Sequence, residues 1–408
     1  MSASPKPPAF DPADPLGIDD LLDPEDLAVR DTVRSWAADR VLPYVADWYE
    51  KGELPGIREL ARELGSIGAL GMSLTGYGCA GASSVQYGLA CLELEAADSG
   101  IRSLVSVQGS LAMYAIHRYG SEEQKNEWLP RMASGEVIGC FGLTEPDHGS
   151  DPAGMRTFAK RDGGGTSRSS GAESGGDWVL SGRKMWITNG SVAGVAVVWA
   201  RTEDGIRGFV VPTDRPGFSA PEIKHKWSLR ASVTSELVLD DVRLPADAVL
   251  PGVTGLRGPL GCLSHARYGI VWGSMGAARS SFEAALDYAR TREQFGRPIG
   301  GFQLTQAKLA DMAVELHKGI LLAHHLGRRM DAGRLRPEQI SFGKLNNVRE
   351  AIEICRTART ILGANGISLE YPVMRHATNL ESVLTYEGTV EMHQLVLGKA
   401  LTGLDAFR

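Results

Sequence analysis

What this 408-residue chain lacks narrows its class first. Its five cysteines, Cys79, Cys91, Cys140, Cys262 and Cys355, lie far apart in mostly apolar stretches, with no CxxC pair and no histidine at ligand spacing. That excludes a disulfide framework and a zinc module, and reads as buried free thiols in a reducing compartment. The nine histidines form no HxxxH pair, so no metal is expected. No apolar run approaches the roughly 18 residues that a spanning helix needs, the longest being Val192 to Ala200. Positive charge is in deficit, with 43 Lys and Arg against 49 Asp and Glu and no basic tail, so nucleic acid and anionic membranes are poor partners. No GxGxxG follows a strand, which leaves a Rossmann fold without support, and no internal repeat is present. The first 20 residues carry five prolines and one Lys, with no apolar core for export. They read as an extended tail, and the protein is expected to be soluble and cytoplasmic.

At roughly 150 residues per domain, the length allows two or three domains with a sizeable core. Asp23, Pro24, Glu25 and Asp26 make a helix start, and Val29, Val33, Trp36 and Ala37 follow a helical period. Helical patterning runs on through Ile57–Leu64, Val85–Ala97, Leu104–Tyr119 and Glu122–Met132. From about 139 the texture changes to short β-type runs, VIGCFGLT, DWVLSGRKMWITN, VAGVAVVWAR, RGFVVPT and SELVLDDVRLP. Residues 162–177, with six Gly and four Ser, read as a flexible hairpin tip rather than a phosphate loop, because no GK[ST] or helix follows. Helical patterning returns over Ile270–Arg290, Gln303–Asp331 and Pro337–Leu362, all long enough for a bundle. The expectation is a mainly α protein with a central β domain. Its parts are a tail (1–20), an N-terminal helical domain (21–138), a middle β domain (139–252) and a C-terminal helical bundle (253–408).

One carboxylate stands out near the C-terminus, in TYEGTVEMHQLVLGKALT over 385–402. Glu387 lies between an aromatic residue and a glycine, and burial against a ring raises a carboxyl pKa towards the range of a general base. A purely structural alternative is a loop at Glu387 and Gly388, with Thr389 as N-cap of the following helix. Arg102 is the second such residue, one guanidinium in the small, apolar stretch DSGIRSLVSVQGSLAMYAI. A buried Arg demands an anion, and spacing offers Asp98 or Glu95 as internal partners.

Five segments, DSGIRS (98–103), CFGLTEPDHGSD (140–151), KMWITNG (184–190), RTREQFGRPI (290–299) and ILGANG (361–366), precede the YEGT that holds Glu387. In this order and spacing they resemble the acyl-CoA dehydrogenase family over about residues 20–405. The resemblance implies an N-terminal helical domain, a middle β-barrel-like domain and a C-terminal four-helix bundle. It also implies a flavoprotein with FAD that removes one hydrogen each from the α and β carbons of an acyl-CoA thioester. Glu387 matches the base that takes the α proton, and the N–H of Gly388, with a flavin ribityl hydroxyl, matches the donors to the thioester carbonyl. Phe141, Leu143, Thr144, Gly149, Trp186, Ile187 and Thr188 would contact the flavin, and Ser150 both the flavin and the CoA portion. Arg292, Gln294 and Phe295, with Gln303, Gly363, Ala364, Thr389 and Glu391, would complete the cofactor site across a subunit interface. The chain departs from the wider family at Thr360, where many members have Gln, and at Ala364, where a second Gly is usual. A homotetramer and an electron-transfer flavoprotein as acceptor are implied in the same way.

LELEAADSGIRSLVSVQ, CFGLTEP, WSLRAS (227–232) and CLSHARYGI (262–270) together look like the glutaryl-CoA dehydrogenase branch. In that branch the residues matching Arg102 and Ser103 bind a distal carboxylate, Glu95 would support the arginine, and Arg267 matches a CoA or substrate contact. The implied reaction is oxidative decarboxylation of glutaryl-CoA to crotonyl-CoA and CO2. Other readings are a dehydrogenase of another short or branched acyl-CoA, a non-decarboxylating glutaryl-CoA dehydrogenase and a flavin oxidase. A nucleic-acid-binding relative on the same fold would need an added basic domain, which this acidic chain does not carry.

Overall fold

The computed structural model describes residues 10–12, 14–162 and 176–406. Helices α1 (Pro24–Arg40), α2 (Val45–Lys51), α3 (Ile57–Ser66), α4 (Ser84–Ala97), α5 (Ser99–Ser106), α6 (Tyr114–Tyr119) and α7 (Glu122–Ala133) form the N-terminal layer. Pro24 opens α1, where a missing N–H costs nothing, and the Asp26 carboxylate accepts from the Asp23 N–H at 3.2 Å. α4 and α7 each start on a reciprocal box, Ser83 with Gln86 and Ser121 with Gln124. One π turn, Val107–Met113, joins α5 to α6 inside what the periodicity reads as a single helix. At the end of the expected tail, Ile18–Leu21 form a short 3-10 turn, where the Asp14 carboxylate accepts from the N–H of Ile18 at 2.8 Å and of Asp19 at 3.0 Å.

The middle layer is a seven-stranded mixed sheet of β1 (Gly139–Gly142), β2 (Phe158–Arg161), β3 (Trp178–Thr188), β4 (Val195–Thr202), β5 (Gly205–Pro212), β6 (Phe218–Ser219) and β7 (Thr234–Leu244). Its order is β1-β4-β2-β3-β7-β6, with β5 also on β4. All five β-type runs form strands, and β2 and β6 are additional ones. β2 and β3 pair antiparallel, and the Asp162 N–H reaches the Asp177 carbonyl at 2.7 Å. The hairpin tip expected between them lies, beyond Asp162, Gly176 and Asp177, outside the described residues.

The chain then enters α8 (Arg257–Thr291), a small hairpin β8 (Glu293–Gln294) and β9 (Arg297–Pro298), and α9 (Gln303–Asp331), α10 (Pro337–Leu362), α11 (Val373–Thr385) and α12 (Val390–Thr402). α10 packs on α8, α9, α11 and α12, and α4 packs on α8 and α9. One apolar core therefore runs through both helical layers, from Val33 and Leu64 to Trp272, Ala351 and Leu380. α4 is apolar all round because it is enclosed on every side. Its one buried acid outside the site, Glu93, is held by Arg34 of α1 and Arg279 of α8, and those guanidinium groups hold its carboxyl below the usual range against the opposing effect of burial. A second apolar core ties α6 and α7 to β1, β4 and the start of α8, and so fixes the sheet against the bundle.

Candidate active site

A cavity of about 1350 Å3 opens where α5, the tips of β1 and β3, α8, α10 and the α11–α12 turn meet. Glu387 stands at that turn, one residue beyond the end of α11 and its C-cap Tyr386. Its φ is +53°, a left-handed conformation that costs a residue with a Cβ and persists only where the surroundings enforce it. The surroundings are cationic. Arg267 Nε donates to the Glu387 carbonyl at 2.5 Å, and Lys344 Nζ donates to the carbonyls of Tyr386 at 2.5 Å and Gly388 at 2.6 Å. The Glu387 carboxylate faces the cavity with one side, while its Oε2 is sealed and has no hydrogen-bond partner among the described residues. Burial pushes the Glu387 carboxyl above its ordinary range, opposed by the charges of Arg102, Lys344 and Arg267. Gly388 follows at φ +102°, and a Cβ there would meet His393 Nε2 at 2.9 Å. The loop reading and the capping reading of this segment both hold, since Thr389 Oγ1 accepts from the Met392 N–H at 3.3 Å and starts α12.

Arg102 lies on α5 beside Glu387 and is 1% exposed. Its Nε donates to Glu95 Oε2 at 2.6 Å, one Nη2 hydrogen reaches the Tyr386 hydroxyl, and Ser99 Oγ holds the other Glu95 oxygen at 2.8 Å. Of the two internal partners the spacing offers, Glu95 takes the arginine; Asp98 instead pairs with Arg375 at 2.5 Å. Burial alone would lower the Arg102 pKa, but the Glu95 carboxylate outweighs it and keeps the guanidinium charged. Among the described residues Arg102 Nη1 makes no hydrogen bond, and Arg102 and Ser103 both line the cavity. α8 tolerates this pair only because residue 273 is glycine: a Cβ there would lie 2.1 Å from Glu95 Oε2.

The opposite wall comes from the sheet. Phe141, Leu143, Thr144, Gly149, Ser150, Trp186, Ile187 and Thr188 all line the cavity. β3 loses register with β7 between Lys184 and Ile187, and within that bulge Trp186 adopts φ +63° and is 59% exposed. A bulge re-aims a side chain, so Trp186 faces the cavity and not the core. The Thr144 carbonyl accepts from the Met185 N–H at 2.8 Å, and buried Lys184 donates to the Leu143 carbonyl at 3.1 Å and Glu145 at 2.8 Å, fixing the tip of β1.

The remaining predicted residues do not join this cavity. Arg292, Gln294 and Phe295 lie on the exposed β8–β9 hairpin, with Phe295 94% exposed, and Gln303 opens α9 beside it. Gly363 and Ala364 form an exposed turn after α10, and Glu391 is exposed in the first turn of α12. Three residues escape the sequence reading: Lys344, Ser341 and His393, whose Nδ1 lies 3.0 Å from Ser341 Oγ, are all buried against the Glu387 turn. The signal was present, since Ile340, Ser341, Lys344, Asn347, Val348 and Ala351 share one helical face and polar residues interrupt its apolar stripe.

Comparison with known proteins follows this architecture. Family models for the N-terminal, middle and C-terminal domains of acyl-CoA dehydrogenases match residues 23–136, 140–242 and 254–402, and the chain belongs to that family. It is 70% identical to a glutaryl-CoA dehydrogenase from Mycobacterium smegmatis, with a TM-score of 0.93 over 97% of this chain and 99% of that one. A second Mycobacterium smegmatis glutaryl-CoA dehydrogenase structure, in complex with FADH2, is 63% identical with a TM-score of 0.92 over 96% and 98% of the two chains. The short-chain specific acyl-CoA dehydrogenase of Bos taurus mitochondria is 33% identical over 380 residues, 90% of this chain and 88% of that protein. The resemblance to the glutaryl-CoA dehydrogenase branch read from DSGIRS, WSLRAS and CLSHARYGI agrees with these neighbours. Among the described residues no helix is long and apolar enough to cross a membrane.

Proposed function

We propose that the chain is an FAD-dependent α,β-dehydrogenase of a short dicarboxylic acyl-CoA, and that it converts glutaryl-CoA to crotonyl-CoA and CO2. The observation that carries this reading is Arg102, a buried cation that faces the same cavity as Glu387 with Nη1 unengaged. Its fork suits a carboxylate at the far end of an acyl chain whose α carbon lies at Glu387.

The residues present fit FAD. A cavity of about 1350 Å3 exceeds the roughly 300–1,000 Å3 of a single-ligand site, leaving room for a flavin and an acyl thioester together. Phe141, Leu143, Ile187 and the outward indole of Trp186 make a flat apolar wall for an aromatic ring, and Thr144 and Thr188 offer hydroxyls along its edge. Gly149 and Ser150 stand exposed at the mouth, where a CoA chain would enter. FAD, when bound, supplies the acceptor for the β hydride. Glu387 takes the α proton, and the Gly388 N–H donates to the thioester carbonyl as negative charge gathers there. Arg102 and Ser103 hold the distal carboxylate, with Glu95 fixing the guanidinium, and Arg267 holds the turn at the thioester end. Loss of CO2 from the oxidised acyl chain breaks the bond to the distal carboxylate and leaves its electron pair delocalised into the thioester. Protonated Glu387 then returns its proton to the γ carbon, so one carboxyl serves both steps.

Arg292, Gln294, Phe295, Gln303, Gly363, Ala364 and Glu391 lie away from this cavity, and we read them as serving the cofactor of a neighbouring subunit in a homotetramer. An electron-transfer flavoprotein is the proposed acceptor, and five free thiols fit a cytoplasmic setting. The test is anaerobic mixing of the purified flavoprotein with glutaryl-CoA or butyryl-CoA, followed by product mass. Glutaryl-CoA should bleach the flavin and yield crotonyl-CoA with CO2; glutaconyl-CoA as the end product would remove the decarboxylation step. Arg102→Ala should lower glutaryl-CoA turnover by about 2–5 kcal/mol, roughly 30- to 5,000-fold, with a much smaller loss for butyryl-CoA. Equal losses on both substrates would make Arg102 a structural residue.

A further inference from the structure

Three successive peptide carbonyls, those of Tyr386, Glu387 and Gly388, all accept hydrogen bonds from two cations, Lys344 and Arg267. In a planar trans peptide the N–H points opposite the carbonyl of the same unit. Drawing the Glu387 carbonyl towards Arg267 therefore turns the Gly388 N–H away from α8, and drawing the Tyr386 carbonyl to Lys344 turns the Glu387 N–H away from α10. Neither N–H has a protein acceptor among the described residues, and both residues line the cavity. A carbonyl bound to a cation also polarises its amide, which strengthens the N–H on the other side as a donor.

Lys344 is the unexpected member. It is 2% exposed on α10, and no carboxylate lies within ion-pair distance of its ammonium among the described residues. A buried ammonium that hydrogen-bonds only to carbonyls, with Glu387 as the one carboxylate whose charge favours it, is costly for a fold, which a neutral residue of similar length would serve at lower cost. What the cation adds is control of the turn. Two carbonyls two residues apart are gripped by one group, and the residue between them is held in the left-handed conformation that Glu387 requires.

We infer that Lys344 is a positioning residue for the reaction: with Arg267 it clamps the backbone of residues 386–388, so that the Glu387 carboxylate and the Gly388 N–H face the acyl thioester together. This rests on the reading of Glu387 as the base, and goes beyond it by assigning the group that sets its geometry. The charged and titratable groups around Glu387 are Arg102 on α5, Arg267 on α8, Lys344 on α10 and His393 on α12, with Tyr386 beside it and Glu95 behind Arg102. An arginine keeps its charge across the working range, whereas burial pulls the Lys344 ammonium down to about 7, so its charge is present on the acid side of that value, where its removal can be read in the acid limb.

The test uses FAD-loaded Lys344→Met and Lys344→Arg beside the wild type and Glu387→Gln. Lys344→Met should retain flavin and leave KM within about threefold, while kcat falls by roughly 10²-fold or more, the scale of losing a preorganised donor. Its acid limb should move to higher pH, because removing a positive charge beside Glu387 favours the protonated carboxyl. Amide hydrogen exchange over the 384–392 segment should quicken in Lys344→Met, and Lys344→Arg, which keeps charge and donors, should bring the acid limb back. A Lys344→Met enzyme with kcat within threefold and an unmoved limb would overturn the clamp, as would a rise in KM with kcat unchanged. Full activity in Glu387→Gln would instead overturn the base assignment, so the two failures are distinguishable.

Discussion

At the scale of single residues, Glu387 and Arg102 divide the work through their surroundings. Arg102 is buried and Glu387 half-buried, but Arg102 has a dedicated anion in Glu95, whereas Glu387 has only the shared influence of three cations and no hydrogen bond on its sealed Oε2. A carboxylate left this way is reactive, because no bond must be broken before it takes a proton. Burial, the largest influence, raises its pKa, and a base works only when deprotonated. The turnover number at saturating substrate should therefore climb with pH through a limb that lies above the ordinary carboxyl value of about 4.3. Steady-state assays over a pH series check this, and a limb at the ordinary value would show that Glu387 is not the titrating group. Glu387→Gln should keep bound flavin and lose at least ~10²-fold in turnover. Near-normal turnover in that variant would sink the assignment.

At the scale of elements, legibility followed periodicity. Gln303–Asp331 and Pro337–Leu362 appear as α9 and α10 with the bounds their patterns indicate, because long amphipathic helices carry many repeats of the signal. α8 begins at Arg257, well before the expected Ile270, since Gly258, Pro259 and Gly261 read as breakers. Pro259 is tolerated there because a proline in the first turn loses no helical hydrogen bond. The direction of Trp186 was legible from the family resemblance but not from strand alternation, as a bulge reverses the face that alternation assigns. Lys344 was overlooked for the opposite reason, a polar residue on a face that otherwise reads as core. Contacts between elements are the least legible of all, and Gly273 is the instructive case. It lies on α8, yet its missing Cβ leaves room for the Glu95–Arg102 pair of α4 and α5. Gly273→Ala would need Glu95 Oε2 to move although Arg102 and Ser99 hold that carboxylate at both oxygens. The variant should lose glutaryl-CoA turnover in the manner of Arg102→Ala, by roughly 30-fold or more, with a smaller effect on butyryl-CoA. A glutaryl-CoA to butyryl-CoA ratio equal to wild type would show that the pair can shift without cost.

At the scale of the whole molecule, the predicted site residues fall into two groups that one chain does not bring together. The first lines the cavity between sheet and bundle; the second, around the β8–β9 hairpin and the turn after α10, faces outward. Phe295 is the most exposed large apolar residue described, at 94%, in a left-handed conformation at φ +54° with its ring edge-on to Phe302 at 6.2 Å. An aromatic ring held outward on a pinned turn gains nothing for an isolated monomer, and such exposure marks surfaces that associate. If Phe295 and Arg292 complete the cofactor site of a neighbouring copy, assembly and flavin retention are linked, because each stabilises the state the other needs. Phe295→Asp should then shift the protein from the proposed tetramer towards smaller species and release flavin in proportion, although nothing in the cavity of its own chain has changed. Added FAD should raise the thermal midpoint of wild type, by the equivalent of about 2.7 kcal/mol at a hundredfold excess over Kd, and do so less in the variant. Size-exclusion chromatography read at the protein and flavin bands, with melting curves at several FAD concentrations, measures both. A smaller Phe295→Asp species that keeps wild-type flavin content would uncouple the two, and would confine the cofactor site to the cavity of a single chain.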